Sequence, residues 1–446
     1  MHRTKIDRFK LVVLTGLLID CHIASAMVME PLIGAGLEYT NNAALTHDNE
    51  QDDWIAAGNI GARINEHNGP LKVDATGGLT YQNYLDNTFG NKHYFNLAAD
   101  STWEMIRNRV DWQVQDYLGQ NPINSLDSNT PDNIETTNIF SFGPNVKFLL
   151  SGRQQLTISP LFQDYYYSDT DADNRQYGVN ANWLYQLHPR MDVGLDGSVT
   201  QVKYNDNDKN PDYLISTLQG EMSGTGVRSE YDLKLGETVI NRDQTENQSG
   251  PTGKLDWKYK LTGYSKARVY LASELTDSSS TYYNSKVDPG TGNSSNVQTS
   301  GDVLRSNIAR LGYERRGSTL FASLWGEYRD ENYKTAPYDR KVTEVASEIR
   351  YGVSPMVSTG VYGDYTRTDA KDGNRTDNFY LIGGNVSYSL SRKLRTVFDI
   401  HYRDKDSTSA TESYSEFGAL ISLVYGYNLP AREVASLFFP DFYGDN

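Results

Sequence analysis

Segment after segment of this chain alternates between apolar and polar side chains with a period of two. Leu71, Val73, Ala75, Gly77, Leu79 and Tyr81 are interleaved with Lys72, Asp74, Thr76 and Thr80. Leu255, Trp257, Tyr259 and Leu261 alternate with Lys254, Asp256, Lys258 and Lys260, and Leu394, Thr396, Phe398, Ile400 and Tyr402 with Arg395, Asp399, His401 and Arg403. A period of two gathers every second residue on one face of a strand and scatters the same residues around a helix, so helical folds are excluded. The connections have their own rhythm. Short turns are expected near 66–69, 106–108, 151–153, 188–190, 223–226, 262–265, 315–317, 353–355 and 391–393. Ten longer connections rich in Asp, Asn, Ser, Gly and Thr fall between them, 276–301 being the longest. Short turns at one end and long loops at the other describe a closed, antiparallel, up-and-down transmembrane β-barrel, with apolar side chains toward lipid and polar ones toward the lumen. Nine short turns between two free ends predict about twenty strands, within a range of 16–20.

The amino terminus agrees with export. Arg3, Lys5, Arg8 and Lys10 precede the apolar run 11–19, and Ala24-Ser25-Ala26 has the small-x-small form of a signal-peptidase site, so cleavage after Ala26 is expected. The run is too short to span a bilayer as a helix. Asp20 stands where a lipoprotein signal needs a small residue before its cysteine, and Cys21, the sole cysteine, leaves with the signal. The expected organisation is a signal peptide 1–26, a barrel 27–427 and a periplasmic tail 428–446. Residues 431–439 of that tail suit one or two helical turns. The full chain carries a formal charge of −15. Removing four Lys/Arg and two Asp with the signal leaves 38 basic against 55 acidic residues, a net of −17, which excludes nucleic acid as a partner. A mean hydropathy of −0.61 suits a barrel, whose strands meet lipid only at alternate positions. The expected partners are outer-membrane lipid, lipopolysaccharide and the barrel-assembly machinery.

Trp103, Trp112, Trp183 and Trp257 fall on the outward phase beside short turns, as a periplasmic aromatic girdle requires. In the final strand, Phe417, Ala419, Ile421, Leu423, Tyr425 and Tyr427 share one phase, in the manner of the carboxy-terminal recognition strand of outer-membrane barrels. With Gly36-Leu37-Glu38-Tyr39-Thr40-Asn41-Asn42 opening the first strand and loop, and Phe142-Gly143-Pro144 before Val146-Lys147-Phe148, the chain resembles a family of outer-membrane barrels. That family is associated with the PEP-CTERM sorting system and with exopolysaccharide gene clusters. The resemblance implies a porin-like channel linked to polysaccharide export, with export components as partners. A passive diffusion porin, a structural barrel plugged by its own side chains and an outer-membrane hydrolase stay open beside it.

No catalytic constellation, cofactor or metal site is expected. Of the five histidines after residue 26, His47, His67, His93 and His188 lie in or beside connections, and His401 faces inward two residues from Asp399. No motif supplies the nucleophile, base and orienter a hydrolase needs, so an enzyme is not expected. Asp169, Asp171 and Asp173 have the opening spacing of a calcium loop, but Asn174 and Asn180 replace its glycine and bidentate acid. The informative candidates are charges on inward phases. They are Arg228, Glu230, Asp232 and Lys234, then Lys254, Asp256, Lys258 and Lys260, then Lys266, Arg268 and Glu274, with Arg395, Asp399, His401 and Arg403 near the end of the chain. Facing lipid, such groups would cost several kcal/mol each, so they must line the lumen. A salt-bridge ladder and a substrate-gliding surface are both compatible with them. Tyr270 and Tyr362, on inward phases, suit sugar rings.

Overall fold

The structure, a computed structural model, describes residues 27–243, 246–281 and 300–439. The expected signal peptide, its cleavage site and Cys21 lie outside the described residues, as does most of loop 276–301. Twenty strands follow one another: β1 (Val28–Thr40), β2 (Asp53–Glu66), β3 (Leu71–Tyr84), β4 (Lys92–Ile106), β5 (Val110–Pro122), β6 (Ile134–Ser151), β7 (Gln154–Tyr167), β8 (Asn174–His188), β9 (Met191–Tyr204), β10 (Tyr213–Thr225), β11 (Ser229–Arg242), β12 (Gln248–Lys260), β13 (Ser265–Asp277), β14 (Val303–Arg316), β15 (Leu320–Tyr333), β16 (Arg340–Gly352), β17 (Val357–Ala370), β18 (Arg375–Ser389), β19 (Leu394–Ser407) and β20 (Tyr414–Tyr425). A helix, α1 (Ala431–Phe438), closes the described chain. Among the described residues no helix is long and apolar enough to cross a membrane.

Each strand pairs antiparallel with the next, and β1 pairs with β20 from Ile33↔Tyr425 to Thr40↔Gly418, which closes the barrel and leaves no free sheet edge. The expected turn at 223–226 moves to 226–228, because β10 runs on to pair Thr225 with Glu230.

Directly opposed residues share a face, so one side of the wall can be followed around the barrel. Glu38 lies opposite Ile55, and Ile55 opposite Tyr84. From there the inward face runs through Thr80, Tyr94, Tyr117 and Ile139, and onward to His401 and Gly418. The other face carries Ile60, Trp103, Leu235, Trp257, Leu311, Ile400 and Ile421, all exposed. Trp103 opposes Trp112 near a short turn, as a girdle requires. The sequence period thus produces a wall apolar outside and polar within, and its interior is where chemistry can reside.

Candidate functional site

Three interior features stand out: a wall of paired charges, a tail lodged in the lumen, and a buried ionic cluster at the seam. The wall is built by register. Pairings Glu230↔Lys258, Asp232↔Asp256 and Lys234↔Lys254, then Lys254↔Ala272, Asp256↔Tyr270 and Lys258↔Arg268, set these side chains on one inward face. The geometry joins most of them. Lys234 reaches Glu221 at 3.2 Å and Asp196 at 3.5 Å. Arg268 donates to both oxygens of Asp256 at 2.8 Å, and Lys258 lies 3.5 Å from Asp256 and 3.9 Å from Glu230. Lys254 and Arg268 flank the Tyr270 ring at 5.7 and 5.8 Å. Glu274 stands farther along the same face opposite Ser306, while Lys260 and Lys266 oppose each other at the turn end, where Lys266 pairs with Glu314 at 3.2 Å. Arg228 does not join the wall; it lies exposed in the turn before β11. Beside these strands is a cavity of about 620 Å³, lined by Arg190, Asp192, Glu230, Asp232, Asp256 and Lys258 among others.

The ladder continues beyond the residues that alternation singled out. Arg310 donates to Glu327 at 2.8 Å, Arg329 bridges Glu327 and Glu331, and Arg340 donates to Glu331 at 2.6 Å. Glu327, Arg329, Glu331 and Arg340 are all buried. Loop 123–133, between β5 and β6, explains part of that burial. Arg340 donates to Ser125 at 2.5 Å, while Arg375 and Lys405 donate to the Leu126 carbonyl at 2.6 and 2.7 Å. The loop therefore crosses the lumen to β16, β18 and β19.

The tail enters from the other end. The sequence predicts a periplasmic tail from residue 428; residues as far as Phe439 lie inside the barrel, and 440–446 fall outside the described residues. Arg395 donates to Asn428 at 2.6 Å and to the Leu429 carbonyl, at the foot of the segment. Arg432 donates to Asp364 at 2.5 Å and lies 4.6 Å from the Tyr362 ring centroid. At the far end Thr80 donates to the Leu437 carbonyl at 2.7 Å and Gln82 to the Phe438 carbonyl at 2.8 Å. These bonds satisfy two carbonyls that a helix leaves free at its C-terminus. The cause is apolar. Val434, Ala435, Phe438 and Phe439 pack against the inward residues Leu32, Ile55, Ala57, Val397, Leu420 and Val424. Glycines make the room, since a Cβ on Gly34 would stand 2.6 Å from the Phe438 ring.

The third feature joins β19, β20 and β1. His401 Nε2 lies 3.2 Å from Glu416 Oε2, which also accepts from Arg403 Nε at 2.8 Å, and Thr40 donates to Glu416 Oε1 at 2.7 Å. Asp399 Oδ1 accepts from the Tyr362 hydroxyl at 2.9 Å and stands 3.8 Å from His401 Nδ1. Glu38 Oε1 is 3.9 Å from His401 Nε2. Asp399, His401 and Arg403 thus form one buried group, whereas Arg395 lies apart with the tail. Alternation places these residues inward but does not pair them: Glu38 lies near the other end of the chain, and Glu416, only 15 residues from His401 on the next strand, is matched to it by the register of the β19–β20 hairpin, which alternation does not carry. The sole local signal was that each is an acid on an inward phase.

No family model matches the chain, and no curated protein sequence matches it. Among solved structures, the siderophore receptor PirA from Pseudomonas aeruginosa is 12% identical, with a TM-score of 0.42 over 89% of this chain and 80% of that one. The ferric citrate transporter FecA in its unliganded form is 11% identical, with a TM-score of 0.45 over 90% and 79%. Pseudomonas aeruginosa OccK2, in complex with glucuronate, is 9% identical, with a TM-score of 0.39 over 90% and 99%.

Proposed function

We propose that this protein is an outer-membrane, porin-like transport barrel, closed in the observed state by its own carboxy-terminal segment, and that it serves as an outlet for exopolysaccharide. The observation that carries the reading is the division of the wall: large apolar side chains outside, charged and mutually paired side chains inside. Such a wall suits lipid on one side and water or a polar cargo on the other. Carboxylates, ammonium groups and tyrosines in succession offer a sugar polymer many hydrogen bonds and no single deep site, so a chain can slide. The resemblance to barrels of exopolysaccharide clusters supports the same cargo.

The tail makes the conduit conditional. Burial of Val434, Phe438 and Phe439 contributes roughly 1.5–3 kcal/mol each, as an upper estimate. A bias of roughly 5 kcal/mol would leave about one barrel in several thousand open at equilibrium. A periplasmic export component that binds the tail would shift that balance. Planar-bilayer conductance of the full chain and of a chain ending at Tyr427 tests the gate: low conductance is expected in the first and a stable larger pore in the second. A permanently closed structural barrel is the second reading, favoured by the buried Glu327–Arg329–Glu331–Arg340 ladder. It predicts no conductance from either form. Deleting the gene, with no redundant barrel expressed, should lower surface polysaccharide and leave small-solute uptake nearly unchanged. Normal polysaccharide would reject the outlet.

A further inference from the structure

Glu38 is an anomaly in a wall of paired charges. Its side chain is fully buried, and among the described residues neither carboxylate oxygen has a hydrogen-bond partner. An isolated buried carboxylate costs several kcal/mol, and such groups are held by pairing, by neutralisation or by a metal ion. Glu38 points at two other potential ligands. A carboxylate oxygen of Glu38, one of Glu416 and a ring nitrogen of His401 all lie within 4.8 Å of one another. We propose that Glu38, His401 and Glu416 form a divalent metal site of the zinc class that ties β1, β19 and β20 together where the barrel closes.

The donor set fits that class. One imidazole and two carboxylates suit a borderline divalent ion, with Zn–N and Zn–O distances near 2.0–2.2 Å. Tetrahedral ligands at such distances stand roughly 3.3–3.6 Å apart. His401 and Glu416 are already at 3.2 Å, and Glu38 at 3.9 Å needs only a small side-chain adjustment. The outer partners are present too. Asp399 faces His401 Nδ1 and is itself held by Tyr362, an arrangement that leaves Nε2 to the metal, while Thr40 and Arg403 fix Glu416. Charge gives the same valence. Three carboxylates, Glu38, Asp399 and Glu416, face one guanidinium, Arg403, so with a neutral imidazole a divalent cation brings the cluster to zero. Gly418 leaves room for the ring, since a Cβ there would lie 2.2 Å from His401 Cε1.

The competing arrangement carries an imidazolium and a protonated Glu38 in place of the ion, and it binds no metal. The untagged full-length barrel is folded into detergent, stripped with chelator and titrated with Zn²⁺ against a chromophoric competitor. Folding is verified by faster migration of the unboiled protein on a gel. One Zn²⁺ per chain is expected, with affinity at least about 100-fold weaker in Glu38→Gln and His401→Gln and about 10–100-fold weaker in Asp399→Asn. Folded wild type that binds no Zn²⁺, or folded variants that bind as wild type does, would overturn the site. Should the ligand variants not fold, Co²⁺ added to wild type decides. A ligand-field absorption band that Zn²⁺ displaces supports the site, and its absence overturns it.

Discussion

At the scale of single residues, the interior is governed by room and by pairing. Gly418 exists for His401: adding a methyl group at 2.2 Å from the ring forces either the imidazole or β20 to move. Gly418→Ala should therefore destabilise the barrel by about 1–3 kcal/mol, read as a lowered urea midpoint. An unchanged midpoint would show that the ring is free to turn away. Asp302, in the loop before β14, makes a different kind of prediction. Burial opposes its ionisation, yet the backbone N–H groups of Ala336 and Thr335, at 2.9 and 2.6 Å, hold its carboxyl below the ordinary aspartate range. A carboxyl depressed in the folded state contributes stability that is present above its unfolded value near 4 and is lost as pH falls through the lower folded value. Loop 334–339 should then stay resistant to an acid-tolerant protease down to about pH 4 and loosen below it, while Asp302→Asn should loosen it at neutral pH. Equal cleavage of wild type and variant at neutral pH would contradict the anchor. Residue-level reading of the sequence placed His401, Asp399 and Arg403 on one inward face, and the structure brings them together. Strand alternation carries a residue's face but neither the register of a hairpin, which brings Glu416 to them, nor the neighbour across the seam, which brings Glu38.

At the scale of elements, strands were legible and the destination of α1 was not. Alternation yields strand number and phase because one wall separates two solvents, and each strand must satisfy that division alone. The short helix was also readable, but its place depends on shape matching between distant segments. One clue lay in plain view: inward positions Leu32, Ile55, Ala57, Val397, Leu420 and Val424 are apolar where a water-filled lumen asks for polar groups. Such a patch inside a barrel requires an apolar partner, and the tail supplies Val434, Ala435 and Phe438. Phe438→Asp places a charge in that contact and should release the segment. In the folded, purified barrel, protease should then remove the tail at least tenfold faster than in wild type, and conductance should rise toward that of the chain ending at Tyr427. A tail equally protected in both proteins would mean that the polar links from Thr80, Gln82, Arg395 and Asp364 suffice to hold it.

At the scale of the whole molecule, the fold is a solution to a solvent problem, and it can be tested with two adjacent residues of the same type. Ala98 and Ala99 lie midway along β4. Ala98 opposes Thr76 and Tyr117 on the lumen side and is exposed there; Ala99 opposes Ala75 and Asp116 on the outer side. Their backbones share the same ladder and the same depth, so an arginine at either position changes helix and strand propensity alike. The surroundings alone differ. At Ala99 the guanidinium would stand in the middle of a bilayer with Asp116 as its one directly opposed acid, so the cost falls toward the lower end of about 2–4 kcal/mol. At Ala98 it would meet water and nearby inward acids, Asp100 two residues along the same strand and Asp74 on β3. Ala99→Arg should therefore lower the urea midpoint of the vesicle-inserted barrel and slow the appearance of the fast-migrating folded form, whereas Ala98→Arg should leave both close to wild type. Equal losses would reject the inward and outward assignment on which the charged wall, the seam cluster and the transport reading all depend; equal tolerance would mean that no lipid contacts this wall.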